Sequence, residues 1–197
     1  EILVIFGLQH DHVVAARGFS SRPDDLFLAM EFMPGGSLSD ALHKPKHRDA
    51  SWLRWDAAGK RVLEHVARGL YYLHTRRPPV IHRDIKSGNV LLSAVGDPNV
   101  TAKLADLGSS KEKMHTFVSV QNYGYTMAYV APEVFQRKKN SNPMQDEKVD
   151  VFSWGVVMWE LLSGKRPNIG YLEPPAGAPA NAIQLHEMCV RTKPGKR

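Results

Sequence analysis

Residues 80–92 read Val80-Ile81-His82-Arg83-Asp84-Ile85-Lys86-Ser87-Gly88-Asn89-Val90-Leu91-Leu92, and the chemistry they can support orients the rest of the chain. Asp84 stands between His82 and Lys86, and Asn89 follows shortly after. A second acid, Asp106, closes an apolar run and precedes Leu107-Gly108. One carboxylate can accept a hydroxyl proton. A carboxamide oxygen and another carboxylate can share hard-oxygen ligation of Mg2+, which takes a few protein oxygens beside phosphate and water. A lysine next to the acid can neutralise charge on a transferring phosphoryl group.

Outward from this stretch the pattern is mostly helical. Trp55, Ala58, Val62, Val66, Leu70 and Leu73 recur at helical spacing, with Lys60, Arg61, Glu64 and Arg68 on other faces, and predict a helix from Trp55 to His74. Arg76-Arg77-Pro78-Pro79 ends it. The runs 89–92 and 100–107, separated by Gly96-Asp97-Pro98-Asn99, predict a hairpin. Phe27 to Phe32 reads as a buried strand before the turn Pro34-Gly35-Gly36, and Ser37 as the N-cap of a short helix. No period governs 108–136. Val149, Phe152, Val156, Trp159 and Leu162 mark a helix apolar nearly all round, hence buried, that stops at Gly164. After the loop 174–179, residues 181–190 form a last short helix.

The chain has 197 residues, a size for one domain or a large piece of one. A net charge of +6 favours anionic partners but is too small to argue for nucleic acid. The basic runs 44–48 and 137–139 lack interleaved aromatics and read as solvated faces, so no nucleic-acid partner is expected. Cys189 is the only cysteine, which excludes an intramolecular disulfide and a thiolate zinc cluster. His43 and His47 have metal-pair spacing, but Pro45 lies between them and no third ligand is near, so a solvated loop is expected. The longest apolar run, Ile2 to Phe6, is too short to span a bilayer. The expected setting is cytoplasmic, with no membrane segment inside this window and any outside it left open.

The loop resembles the catalytic loop of eukaryotic protein kinases, His-Arg-Asp followed by Asn. Asp106-Leu107-Gly108 is similar to their Asp-Phe-Gly, with Leu for Phe, and Ala131-Pro132-Glu133 matches their Ala-Pro-Glu. Any one of these motifs is weak; all of them in family order are specific. The resemblance implies an α+β, protein-kinase-like fold, mainly the helical C-lobe with the last part of the N-lobe. Within 1–197, residues 1–30 would be a remnant of the N-lobe (the end of the C helix and strands 4 and 5), 31–36 the hinge and 37–197 an incomplete C-lobe. It implies ATP and Mg2+ as cofactors, with Asp84 as catalytic base, Lys86 beside it, and Asn89 and Asp106 as metal ligands. Met30, Glu31 and Met33 would be gatekeeper and hinge, Leu91 the adenine floor, and Glu1 the C-helix glutamate. His82, Arg83 and Asp150 would hold the loop together, Arg83 receiving an activation-segment phosphate and Asp150 opening the central F helix. Thr116, Ser119 and Tyr123 are phosphosite candidates, and Thr126 is similar to the substrate-loop threonine.

Lys86, with the stretches GGSLSDAL and HRDIKSGNVLL, resembles the tyrosine-kinase-like serine/threonine group, Raf-like and plant receptor-like kinases among them. The implied function is ATP-dependent transfer to Ser/Thr hydroxyls of a protein substrate, with an upstream activating kinase as a further partner. The 197 residues hold no glycine-rich phosphate loop and no Val-Ala-x-Lys strand ahead of Glu1, so little transfer is expected of this chain alone. The arginine that would pair with Glu133 is also expected to be missing. A pseudokinase scaffold that binds a partner through the C-lobe is the alternative reading. Small-molecule phosphotransfer on the same fold is disfavoured by the Ala-Pro-Glu segment and Lys86.

Overall fold

The computed structural model describes residues 6–21, 26–44, 50–107, 127–135, 146–170 and 172–197. Strands β1 (Ala16–Ser21) and β2 (Leu26–Met30) pair antiparallel, with Ala16 opposite Met30 and Phe19 opposite Leu28. The expected strand is there, but its burial is not: Phe27 is 51% exposed and Phe32, just past its end, 86%. Among the described residues this ribbon has two strands, with the Phe6 ring 5.7 Å from that of Phe19.

The turn after β2 brings Gly35 against the backbone of the second hairpin. Its N–H donates to the Leu92 carbonyl at 2.9 Å, and a Cβ there would lie 2.6 Å from that oxygen. Helix α1 (Leu38–His43) follows, capped by Ser37 Oγ, which accepts from Asp40 N at 3.1 Å.

The helix predicted from Trp55 to His74 is split. Trp55–Gly59 forms a π-helical turn with Ala57 outside helical angles, and only Lys60–His74 is regular α2. The tight fold-back of 53–59 explains the break. At Gly59 a Cβ would come within 2.2 Å of the Leu53 carbonyl oxygen.

Strands β3 (Val90–Leu92) and β4 (Ala102–Leu104) form the expected hairpin, with Val90 opposite Leu104 and Leu92 opposite Ala102. Helices α3 (Pro132–Phe135), α4 (Lys148–Ser163) and α5 (Ala180–Cys189) complete the order. Gly164 ends α4 at φ 65°, an angle that favours glycine.

One apolar core holds these elements together. Val62, Val66 and Leu73 of α2 meet Leu92 and Leu104 of the hairpin and Val156, Val157 and Met158 of α4, all essentially without solvent exposure. The result is the α+β, protein-kinase-like arrangement, helical in the main with two small sheets. No helix among the described residues is long and apolar enough to cross a membrane.

Candidate active site

The loop 81–89 hangs from one buried acid. Asp150, in the first turn of α4 and fully buried, accepts from His82 N at 2.8 Å and Arg83 N at 2.7 Å. His74 Nε2, at the end of α2, meets the same carboxylate at 2.8 Å. A carboxylate accepting backbone donors in a dry site makes strong charge-assisted bonds. His82 is also fully buried. Its Nε2 lies 3.0 Å from the Ala105 carbonyl and its Nδ1 3.4 Å from Asp84 N. A carbonyl only accepts and an amide only donates, so the ring is the Nε2–H tautomer, spent on bracing the loop.

Held this way, Asp84 sits among its sequence neighbours. Lys86 Nζ lies 3.0 and 2.8 Å from the two Asp84 carboxylate oxygens. Asn89 Nδ2 donates to the Asp84 carbonyl at 2.8 Å and to Oδ2 at 3.0 Å. The register of β3 and β4 extends one step, as Ala105 N donates to the Asn89 carbonyl at 2.9 Å. Asp106 is the next residue, one position past the hairpin partner of Asn89. Asp106 is exposed and takes φ 63°, as does Arg83. Left-handed backbone in residues with side chains collects at functional sites.

The wall expected to face a nucleotide is built by residues distant in sequence. Val14, Met33 and Ala105 form a small buried apolar cluster, and Leu91 packs against it half-buried. Met30 ends β2 at 46% exposure. Glu31 N donates to the Ala15 carbonyl at 2.9 Å, and Glu31 Oε1 accepts from Ala15 N at 2.9 Å. Lys103 Nζ bridges both Glu31 carboxylate oxygens at 2.9 Å. Burial alone would push this carboxyl up, but Lys103 and the Ala15 N–H together hold it below its usual value.

Two expectations need correction. Glu133 does have an arginine partner: Arg197 Nη2 meets Oε2 at 2.9 Å and Nη1 meets Oε1, with the guanidinium 4.9 Å from the centre of the Phe152 ring. His43 is not solvated. Its side chain is 9% exposed and its Nε2 lies 2.7 Å from Glu160 Oε1. The sequence reading missed Glu160, which also binds Ser87 and Tyr129. The available signal was a single acid in an otherwise apolar stretch of α4. Glu1, Thr116, Ser119, Tyr123 and Thr126 lie outside the described residues.

Among the described residues no group of three or more His, Cys, Asp or Glu is arranged to hold a metal by itself. The donor set beside Asp84 suits Mg2+ all the same, since this ion completes its shell from phosphate and water. Asn89 commits its nitrogen to Asp84, so its amide oxygen is the atom that could face a metal.

Comparison with known proteins agrees with this geometry. Three curated relatives are serine/threonine-protein kinase STY46 of Arabidopsis thaliana (37% identical over 167 residues, 85% of this chain and 26% of that protein), serine/threonine-protein kinase CTR1 of the same plant (36% over 168, 85% and 19%), and mitogen-activated protein kinase kinase kinase 7 of Drosophila melanogaster (37% over 171, 85% and 23%). The chain thus spans about a quarter or less of the length of these relatives. The pattern that defines the protein kinase domain matches residues 1–177. A loop clamped by a buried helix acid, an aspartate flanked by Lys and Asn, and a match over most of its length place this chain in the protein kinase family.

Proposed function

We propose that this chain carries the catalytic core of an ATP-dependent protein serine/threonine kinase, with Mg2+ bound by Asn89 and Asp106. The observation that carries the reading is the Asp84 carboxylate bracketed by Lys86 and Asn89, with Asp106 one residue past the hairpin partner of Asn89. Asp84 orients the acceptor hydroxyl and takes its proton as the new bond forms. Lys86 keeps that carboxylate in place and offsets negative charge at the phosphoryl group. When bound, the metal shields charge on the phosphates and fixes their orientation. The cluster of Val14, Met33, Ala105 and Leu91 offers an apolar seat for the adenine ring, and the backbone of Glu31 and Met33 its polar edge. Arg83, beside the clamp, is the group to receive an activation-segment phosphate. Positioning and electrostatics together account for most of the catalysis in this reading.

On its own the 197-residue chain should transfer slowly, because its sequence has no glycine-rich loop over the phosphates. The test is incubation with labelled Mg-ATP and a basic protein substrate, set against Asp84→Asn. Label on serine or threonine that falls by about 100-fold or more in the variant supports the proposal, a typical loss for a positioned base. Measurable labelling that is equal in both proteins contradicts it.

A further inference from the structure

Glu160 is fully buried in α4 and collects donors from three separate parts of the chain. Its Oε1 accepts from His43 Nε2 at 2.7 Å, in the last turn of α1, and from Ser87 Oγ at 2.9 Å, next to Lys86. Its Oε2 accepts from the Tyr129 hydroxyl at 2.5 Å, just ahead of Ala131-Pro132-Glu133. Burial and then the Glu160 charge push the Tyr129 phenol well above its ordinary value, so it stays a donor. Both hydroxyl protons go to the carboxylate, which leaves the 3.2 Å Ser87–Tyr129 approach as mere proximity. Of the three donors only His43 comes from outside the loop and the activation segment. Its helix leaves the turn 34–36, and Ser37 at the helix start bridges to Leu91 of β3.

We infer that His43 is a positioning residue for the site: by donating to Glu160 it fixes the carboxylate that holds Ser87 on one side and Tyr129 on the other. Without this donor a buried oxygen that had two partners keeps one, and the carboxylate must rotate or draw in water. Ser87 and Tyr129 move with it, and through them Lys86, Asp84 and residues 129–133. A histidine that served only its own helix would leave those segments untouched.

The consequence for phosphotransfer rests on the proposed kinase activity; the coupling itself does not, and the experiment separates them. Amide hydrogen exchange is measured on the 197-residue chain carrying His43→Leu or His43→Gln, the glutamine amide reaching the Nε2 position. The expected result is exchange at least tenfold faster at 85–89 and 128–131 in His43→Leu, with α2 unchanged and near-native protection in His43→Gln. Faster exchange confined to 38–44, no change at all, or a His43→Gln protein as open as His43→Leu would each overturn the inference. If His43→Leu does not fold, His43→Asn, too short to reach Glu160, is read by the same criteria. Where transfer is measurable, His43→Leu should lower kcat about fivefold or more with the KM for ATP within about twofold. Transfer that is measurable but equal in His43→Leu and the unaltered chain, with the exchange pattern as expected, counts against the catalytic consequence alone.

Discussion

Arg83 and Asp106 both hold φ 63°, and each such residue costs on the order of 1–3 kcal/mol unless its surroundings enforce it. The enforcement is visible: Arg83 N is pinned by Asp150, and Ala105, just before Asp106, is bonded on both sides, to Asn89 and to His82. A second pair of residues sets a pH dependence. The rings of His12 and His65 stack at 4.1 Å, His12 Nδ1 donating to the Ala102 carbonyl and His65 Nδ1 accepting from Ala102 N, both at 3.2 Å. Burial, then the neighbouring His12, lowers His65 to about 4, and His12 is lowered as well. Glu64 opposes the shift at His65, whereas Arg61 and Arg68 add to it. With both folded values below the unfolded one near 6.5, the unfolded chain binds more protons in that window, so stability falls as pH drops from about 6.5 towards 4. Thermal melts at pH 7 and pH 4.5 should therefore show a smaller acid loss in His65→Asn, which keeps an acceptor but does not titrate. An equal loss in both proteins would remove His65 from the account.

At the scale of elements, α4 carries the site because its first turn projects Asp150 into the catalytic loop. Asp150→Ala leaves the buried His82 N–H and the part-buried Arg83 N–H without their acceptor and should cost about 2–4 kcal/mol, with Asp150→Asn milder because one oxygen remains. Denaturant unfolding followed by tryptophan fluorescence measures both, and a loss under about 0.5 kcal/mol in Asp150→Ala would mean that other bonds hold the loop. Helix α4 itself was legible in sequence, since an all-round apolar stretch ending at glycine has few other solutions. The hairpin 90–104 was legible too, from its turn residues. The strand 26–30 was half legible: a short apolar run between turns locates a strand, but burial depends on which layers cover it, and sequence does not show that locally. The π-helical turn at 55–59 was hidden because apolar spacing continues through it while the clash at Gly59 arises from tertiary fold-back. Asp84, Lys86 and Asn89 could be read together because they are neighbours in the chain. The bonds from Glu160 to His43 and Ser87 span 117 and 73 residues, and no local pattern announces such a pairing.

Across the whole molecule Arg197 ties the stretch after α5 back to α3 and the start of α4. Its side chain is fully buried, meets both carboxylate oxygens of Glu133 and donates to the Lys148 and Arg191 carbonyls. Breaking a buried pair from one side costs about 3–5 kcal/mol, less where the survivor reaches solvent, and Glu133 is 23% exposed. Arg197→Ala should lose about 2 kcal/mol and lower Tm by about 4–8 °C. A shift under about 1 °C in calorimetry would show that the contact is not part of the folded state's stability. The clamp, the core and the hairpin converge on one proposal, that Asn89 and Asp106 present their oxygens to a metal–nucleotide complex beside Asp84. Amide NMR with ATP and substoichiometric Mn2+ in place of Mg2+ tests it most directly. The account predicts paramagnetic broadening centred on residues 89–90 and 105–106, lost in Asp106→Asn. Sharp signals there, with broadening elsewhere or nowhere, would contradict it.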